Sequence, residues 1–245
     1  MVKEETARAL KGAQRVAVLT GAGVSAESGV PTFRGEGGLW RSHRAEELAT
    51  PWAFARDPKL VWEFYDWRRQ VLAPLKPNPA HGAIARLEGL VPEFTLITQN
   101  IDNLHREAGS KRVLELHGNI WRVRPLQGGP AFEDRRVPME PLPPRDEQGE
   151  LLRPDVVWFG EALPEEVLRL AMQAVRECSF FLVAGTSAVV QPAASMPLMA
   201  KEAGAYVVEV NFEPTPISSY VDESIMGKAG EVLPALISAA FPESG

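Results

Sequence analysis

Gly21-Ala22-Gly23-Val24-Ser25-Ala26 follows a short apolar run and fits the Gly-x-Gly-x-x-Gly/Ala pattern of a dinucleotide-binding turn. Glycines there let the backbone approach a pyrophosphate, and a following helix offers its free N–H groups to the negative charge. Four further apolar runs end in small or hydrogen-bonding residues: Gln99-Asn100-Ile101-Asp102, His117-Gly118-Asn119, Gly185-Thr186-Ser187 and Asn211-Phe212-Glu213. In an open parallel sheet the carboxyl ends of the strands face the ligand crevice. Polar groups converging there predict a polyfunctional ligand lying across the sheet edge. A hydride-transferring dehydrogenase would need a second strand ending in Asp or Glu about 20 residues after the glycines. Pro31-Thr32-Phe33-Arg34 and Leu39-Trp40-Arg41 stand there instead and read as a loop. The pattern predicts a dinucleotide site of non-dehydrogenase type, its ribose held near Asn211–Glu213.

The elements that must position these groups are legible too. Val16–Thr20, Phe94–Thr98, Val113–Leu116, Phe180–Ala184 and Tyr206–Val210 are apolar at nearly every position, as strands covered on both faces are. Helical patterns lie between them. Asn78-Pro79 starts one as N-cap and first-turn proline, and Glu165 and Glu166 open another after Pro164. Ser195–Ala203 and Val232–Phe241 read as two more. Alternating strands and helices imply an α/β fold, a Rossmann-like parallel sheet doubly wound by helices. Two segments break the rhythm: 41–77, aromatic and helical in period, and 122–155, rich in proline and charge. They predict a small second lobe over the crevice, leaving about 1–40, 78–121 and 156–245 to the Rossmann-like lobe.

Composition narrows the function. The 245 residues carry 26 Lys+Arg against 32 Asp+Glu, a net charge of −6, which argues against nucleic acid as a partner. No apolar run is long enough for a membrane span, and residues 1–13 lack a signal peptide's apolar stretch, so a cytoplasmic protein is expected. Cys178 is the only cysteine, which excludes an internal disulfide and any multi-cysteine zinc site. It reads as a small buried apolar residue, His81 as a helix-start residue, and His43 and His105 as bystanders.

Taken together, Gly21-Ala-Gly-Val-Ser-Ala-Glu-Ser-Gly-Val-Pro-Thr-Phe-Arg34, Thr98-Gln-Asn-Ile-Asp102, Leu116-His-Gly-Asn119, Arg153-Pro-Asp-Val-Val-Trp-Phe-Gly-Glu161, Gly185-Thr-Ser187 and Asn211-Phe-Glu213 resemble the motifs of the sirtuin family, in order along nearly the whole chain. The resemblance implies an NAD-dependent protein-lysine deacylase. It implies that Gly21, Ala22, Gly23, Ala26, Glu27 and Arg34 line the NAD diphosphate and ribose. Phe33 would belong to the mobile cofactor loop and Asn100 and Asp102 to the nicotinamide pocket, with Trp40, Gln99 and Ile101 also binding the cofactor. Gly185, Thr186, Ser187, Asn211, Phe212, Glu213 and Ala229 would form the adenosine side. His117 matches the catalytic histidine, a general base toward a ribose hydroxyl once the acyl oxygen has displaced nicotinamide. The products would be nicotinamide, O-acyl-ADP-ribose and free lysine. Val157, Trp158, Phe159 and Gly160, in a Val156–Gly160 strand, resemble the segment that pairs with the acylated substrate peptide.

Two departures carry information. Where the family usually places two Cys-x-x-Cys pairs, the best register has Pro125 and Gly128, then Arg145 and Gln148. No structural zinc is expected; rigid prolines and burial of Phe132, Met139, Leu142 and Leu151 would replace it. Second, Tyr65 and Arg68 stand three apart, on one face of a helix. They match the Tyr-x-x-Arg pair of the branch that removes succinyl, malonyl and glutaryl groups, and Ala49 the small residue that leaves room for longer acyl chains. The competing reading of the pair is a surface ion pair with Glu63 or Asp66. Other enzymatic readings are a plain deacetylase and a mono-ADP-ribosyltransferase. A non-catalytic NAD or ADP-ribose sensor is the binding-module alternative. Oligomeric state, targets and preferred acyl group are not encoded in any motif.

Overall fold

The computed structural model describes residues 2–31, 39–41 and 43–242. The chain runs α1 (Glu4–Gly12), β1 (Arg15–Thr20), α2 (Ala22–Ala26), β2 (Leu39–Trp40), β3 (His43–Arg44), α3 (Ala45–Leu48), α4 (Pro51–Arg56), α5 (Pro58–Leu72) and α6 (Pro79–Glu88). It continues with β4 (Glu93–Thr98), α7 (Leu104–Glu107), β5 (Val113–Glu115), β6 (Gly118–Pro125), β7 (Phe132–Glu133) and β8 (Leu152–Val156). Then come α8 (Glu165–Glu177), β9 (Phe180–Ala184), α9 (Met196–Glu202), β10 (Tyr206–Asn211), β11 (Glu223–Met226) and α10 (Ala229–Ala240).

Six strands pair in parallel in the order β11-β10-β9-β1-β4-β5. Counted among themselves they form the Rossmann order, whose direction reverses between β1 and β9. That reversal opens a crevice at the strands' carboxyl ends. Along β1 the side chains alternate between two cores. Val16 and Val18 pack with α1, α6 and α10, Ala17 and Leu19 with α8 and α9. The five expected strands all form. The sixth, β11, escapes the sequence because Glu223 and Ser224 interrupt its apolar character. Glu223 is nevertheless buried, accepting from the Lys3 backbone N–H and the Thr6 hydroxyl at the start of α1.

A second core gathers Trp40, Phe54, Trp62, Phe64 and Tyr65 against Ile120, Val123, Met139, Leu152 and Trp158. The stretch 122–155, expected to be irregular, contributes to a three-stranded antiparallel sheet, β7-β6-β8. Long-range pairing rather than local pattern makes it. Arg69, fully buried on α5, donates Nε to the Ile120 carbonyl at 2.8 Å and lies 3.7 Å from Asp134. Asp66 accepts the Met139 N–H at 2.7 Å. Two expectations need correction. Phe132 is 45% exposed, since the two-residue β7 forms the sheet's edge; Met139 is buried. The strand expected over Val156–Gly160 ends at Val156, where the chain leaves the sheet so that Trp158 can turn inward.

Candidate active site

The crevice is built on three glycines that permit backbone contact. A Cβ on Gly21 would sit 2.9 Å from the Gly185 carbonyl oxygen, and one on Gly23 2.8 Å from Gly185 Cα. Gly185 has φ +59°, and a Cβ there would lie 2.3 Å from the Val24 nitrogen. The β1–α2 turn and the β9 loop therefore lie flush at the switch point, with Ala22 at the start of α2. This narrow cradle of backbone suits a pyrophosphate, so the residues fit NAD.

Polar side chains from β4 close the cradle floor. Gln99 Nε2 donates to Thr186 Oγ1 at 3.0 Å, and Asn100 Nδ2 to the Gly21 carbonyl and Ser25 Oγ, each at 3.1 Å. Asp102, 6% exposed, accepts from the Leu104 N–H at 2.9 Å. Burial raises its carboxyl, against the bonds from Leu104 and Ser25 that favour the charged form. Ile101 is half-buried beside it.

His117 follows β5, and its Nδ1 meets the Gln99 carbonyl at 2.9 Å. A carbonyl only accepts, so Nδ1 carries the proton and Nε2 keeps its lone pair as a base. Burial holds His117 below its ordinary value, against that bond. Gly118 (φ +79°) is required next, because a Cβ would meet the Asp155 carbonyl oxygen at 2.1 Å.

At the end of β10, Asn211 Nδ2 donates to the carbonyls of Glu213 (3.0 Å) and Thr186 (3.4 Å). Phe212 is 72% exposed at this rim, Ser187 is half-buried, and Ala229 is buried at the start of α10. Ala26 is exposed at the end of α2 and Trp40 is buried in the second core. The Glu27 carboxylate accepts the Gly230 N–H at 2.8 Å, so here it caps α10. Phe33 and Arg34 lie outside the described residues.

The acyl-pocket candidates come together. Tyr65 is 1% exposed and its hydroxyl accepts from Trp158 Nε1 at 3.0 Å. Arg68, half-buried, lies over the rings of Phe64 and Tyr65 at 5.6 and 5.8 Å. Ala49 is buried, and its carbonyl accepts the Phe159 N–H at 2.9 Å. Val157 is half-buried, while Phe159 and Gly160 are exposed. Of the two acidic neighbours, Glu63 pairs with Arg41 at 2.5 Å and Asp66 accepts the Met139 N–H at 2.7 Å.

Sequence reasoning passed over a buried polar cluster behind Asn100. Ser25 Oγ meets His81 Nε2 at 3.3 Å, and the rings of His81 and His105 lie 4.8 Å apart. His105 Nε2 meets Thr20 Oγ1 at 2.9 Å, which donates to Thr98 Oγ1 at 2.9 Å. His81 Nδ1 also accepts the Asn78 N–H, so it is the helix-start residue expected. Only the exclusion of charge from a covered sheet face could have singled the pair out. Burial lowers His81 to about 4 and His105 to about 3, with His81 adding to the latter. Since the unfolded chain binds these protons near pH 6.5 and the folded chain does not, stability rises with pH between about 4 and 6.5. Denaturant unfolding should lose up to about 1.4 kcal/mol per pH unit and histidine below 6.5. His81→Gln should flatten the slope between pH 6.5 and 5; an unchanged slope would refute it.

The four aligned positions, Pro125, Gly128, Arg145 and Gln148, carry neither a thiol nor an imidazole. There the backbone closes on itself: the Leu126 N–H donates to Leu151 at 2.9 Å and the Leu152 N–H to Pro144 at 3.0 Å. Among the described residues no cluster of three His, Cys, Asp or Glu could hold a metal. Cys178 is buried at the end of α8, its thiol pushed up to about 12 by burial.

A family model described as "Sir2 family" matches residues 21–192. The NAD-dependent protein deacylase of Aquifex aeolicus is 54% identical over 215 residues, 87% of this chain and 90% of that one. The NAD-dependent protein deacylase of Pyrococcus furiosus is 53% identical over 239 residues, covering 95% and 96%. Among solved structures, a Sir2 homolog–NAD complex superposes with TM-score 0.93 at 48% identity, over 98% of this chain and 94% of that one. A Sir2 complex with a p53 peptide and NAD+ gives 0.85 at 32% identity, over 97% and 98%.

Proposed function

The chain belongs to the Sir2 family and is an NAD-dependent protein deacylase, and from that premise we propose that it removes acidic acyl groups, succinyl and malonyl, as well as acetyl, from lysine side chains. The observation that carries this reading is the Tyr65 hydroxyl. It accepts from Trp158 Nε1 inside an apolar slot, so its own proton is free to point at an incoming carboxylate, with the Arg68 guanidinium alongside. An acetyl group offers neither residue a charge.

NAD, when bound, would supply a ribose carbon from which nicotinamide leaves as the acyl oxygen attaches; with one water taken up, the products would be nicotinamide, O-acyl-ADP-ribose and free lysine. In this reading the chain's own residues hold and orient. Gly21, Ala22, Gly23 and Gly185 cradle the pyrophosphate, with Ala26 and Arg34 beside it; Thr186, Ser187, Asn211, Phe212, Glu213 and Ala229 hold the adenosine end. Asn100, Ile101 and Asp102 receive the nicotinamide, with Gln99 fixing the floor. Phe33 would keep water from the ribose. His117 Nε2 takes a ribose hydroxyl proton. Val157, Phe159 and Gly160 contact the substrate peptide.

The reading includes no structural zinc: the Asp66, Arg69 and Asp134 contacts and the buried Met139 hold the small sheet to α5. Chelator-washed protein should keep its unchelated melting temperature, and stoichiometric zinc in it would overturn this. The activity is tested by mass spectrometry on peptides bearing acetyl-, malonyl-, succinyl- and glutaryl-lysine, with and without NAD. NAD-dependent loss of the acidic groups with equimolar nicotinamide is expected. Loss of acetyl alone would leave a plain deacetylase; nicotinamide release without deacylation would indicate transfer of ADP-ribose instead.

A further inference from the structure

We infer that Arg153 and Glu161 are positioning residues, a clamp that sets the 157–161 segment for the acylated peptide and through Trp158 fixes the Tyr65 hydroxyl. The inference rests on the proposed reading of Val157–Gly160 as the peptide-contact segment. Arg153 reaches across the turn with both terminal nitrogens: Nη1 lies 2.6 Å from Glu161 Oε1 and Nη2 2.8 Å from Oε2. Such a fork fixes direction as well as distance. Glu161 Oε2 also accepts the Trp158 N–H at 2.8 Å, and Arg153 Nη2 donates to the Val156 carbonyl at 3.0 Å. The guanidinium lies 3.6 Å over the Trp158 ring, whose Nε1 donates to Tyr65. Arg153 is 5% exposed and Trp158 2%. Burial would raise the Glu161 carboxyl, but the bonds from Arg153 and Trp158 hold it below its ordinary value.

The clamp's consequence is directional. The N–H groups of Val157, Trp158, Phe159 and Glu161 are all used inward, on His117, Glu161, Ala49 and Trp158. Among the described residues no donor reaches the carbonyls of Val157 or Phe159. The segment thus presents acceptors to the crevice from a backbone held at both ends. A peptide meeting it pays little ordering entropy. Because Trp158 is locked between Arg153 and Tyr65, the same clamp keeps the acyl slot and the peptide contact in fixed relation. Among the described residues, none of the hydrogen bonds of Arg153, Glu161 and the Trp158 side chain goes to Gly21, Gly23 or Gly185.

The test uses an acetyl-lysine peptide, so that acyl preference plays no part, and reads peptide KM, NAD KM, kcat and melting temperature. Glu161→Ala should raise peptide KM about ten- to a hundredfold, with NAD KM and kcat within about twofold. Glu161→Gln, which can still accept one Arg153 N–H, should recover part of the loss. Arg153→Lys should not, since an ammonium can neither fork nor stack in the same way. If Glu161→Ala does not fold, the contrast between Glu161→Gln and Arg153→Lys carries the test. A lowered melting temperature with unchanged peptide KM in all variants would reduce the clamp to a stabilising ion pair and overturn the inference. Phe159→Ala separates the two readings. If it raises peptide KM while Glu161→Ala does not, the clamp alone fails; if it leaves peptide KM unchanged, the placement of the peptide fails.

Discussion

His117→Ala is expected to lower deacylation by about 10²–10⁴-fold, the usual worth of a positioned general base, while nicotinamide exchange in the presence of acyl-peptide persists. The geometry gives the reason for the split. His117 Nδ1 is tied to the Gln99 carbonyl at 2.9 Å, which leaves Nε2 able only to accept. A base acts when it is neutral. Burial holds this histidine below its ordinary value, so activity should fall as pH drops through a midpoint under 6.5 and stay level from there to neutrality. Single-turnover measurements of deacylated peptide between pH 5 and 8 check both points. Wild-type-like turnover in His117→Ala, or an acid limb centred above 6.5, would remove the histidine from that role.

Arg68→Met should cut desuccinylation about ten- to a hundredfold while deacetylation changes by less than about threefold. One charge-assisted hydrogen bond is worth roughly 1.5–3 kcal/mol, which converts to that ratio. Methionine keeps much of the length and apolar contact of the side chain and removes its charge and its N–H donors. Tyr65→Phe should follow the same pattern more weakly, because its ring packing in the second core remains. The comparison is of kcat/KM for matched acetyl and succinyl peptides. Equal losses on both would mean that Arg68 supports the slot rather than reading the acyl group.

How far the site was legible depends on what a local pattern can encode. Covered strands announce themselves by continuous apolar runs, and β1, β4, β5, β9 and β10 were readable to within a residue at most ends. The strand β11 was not, since its buried Glu223 looks like a surface residue until the start of α1 arrives to satisfy it. The sheet formed by β6, β7 and β8 was also hidden, because its pairings join residues far apart in a proline-rich stretch. The segment after Val156 was misread as strand for a similar reason. Trp158 is drawn inward by Arg153, Glu161 and Tyr65, partners brought to it by the fold.

By itself the sequence determined which chemical groups stand at the strand ends, that those strands are covered on both faces, and that there are too few thiols for a cysteine-built metal site. These are matters of composition and short-range order, and they do not depend on what packs against what. The tertiary structure alone decided that Gly21, Gly23 and Gly185 touch, that His117 keeps its proton on Nδ1, and that Tyr65 faces Trp158 rather than water. Each of those follows from the approach of distant segments in a medium that excludes water. There a buried polar atom must find a partner, and which partner it finds is set by the fold.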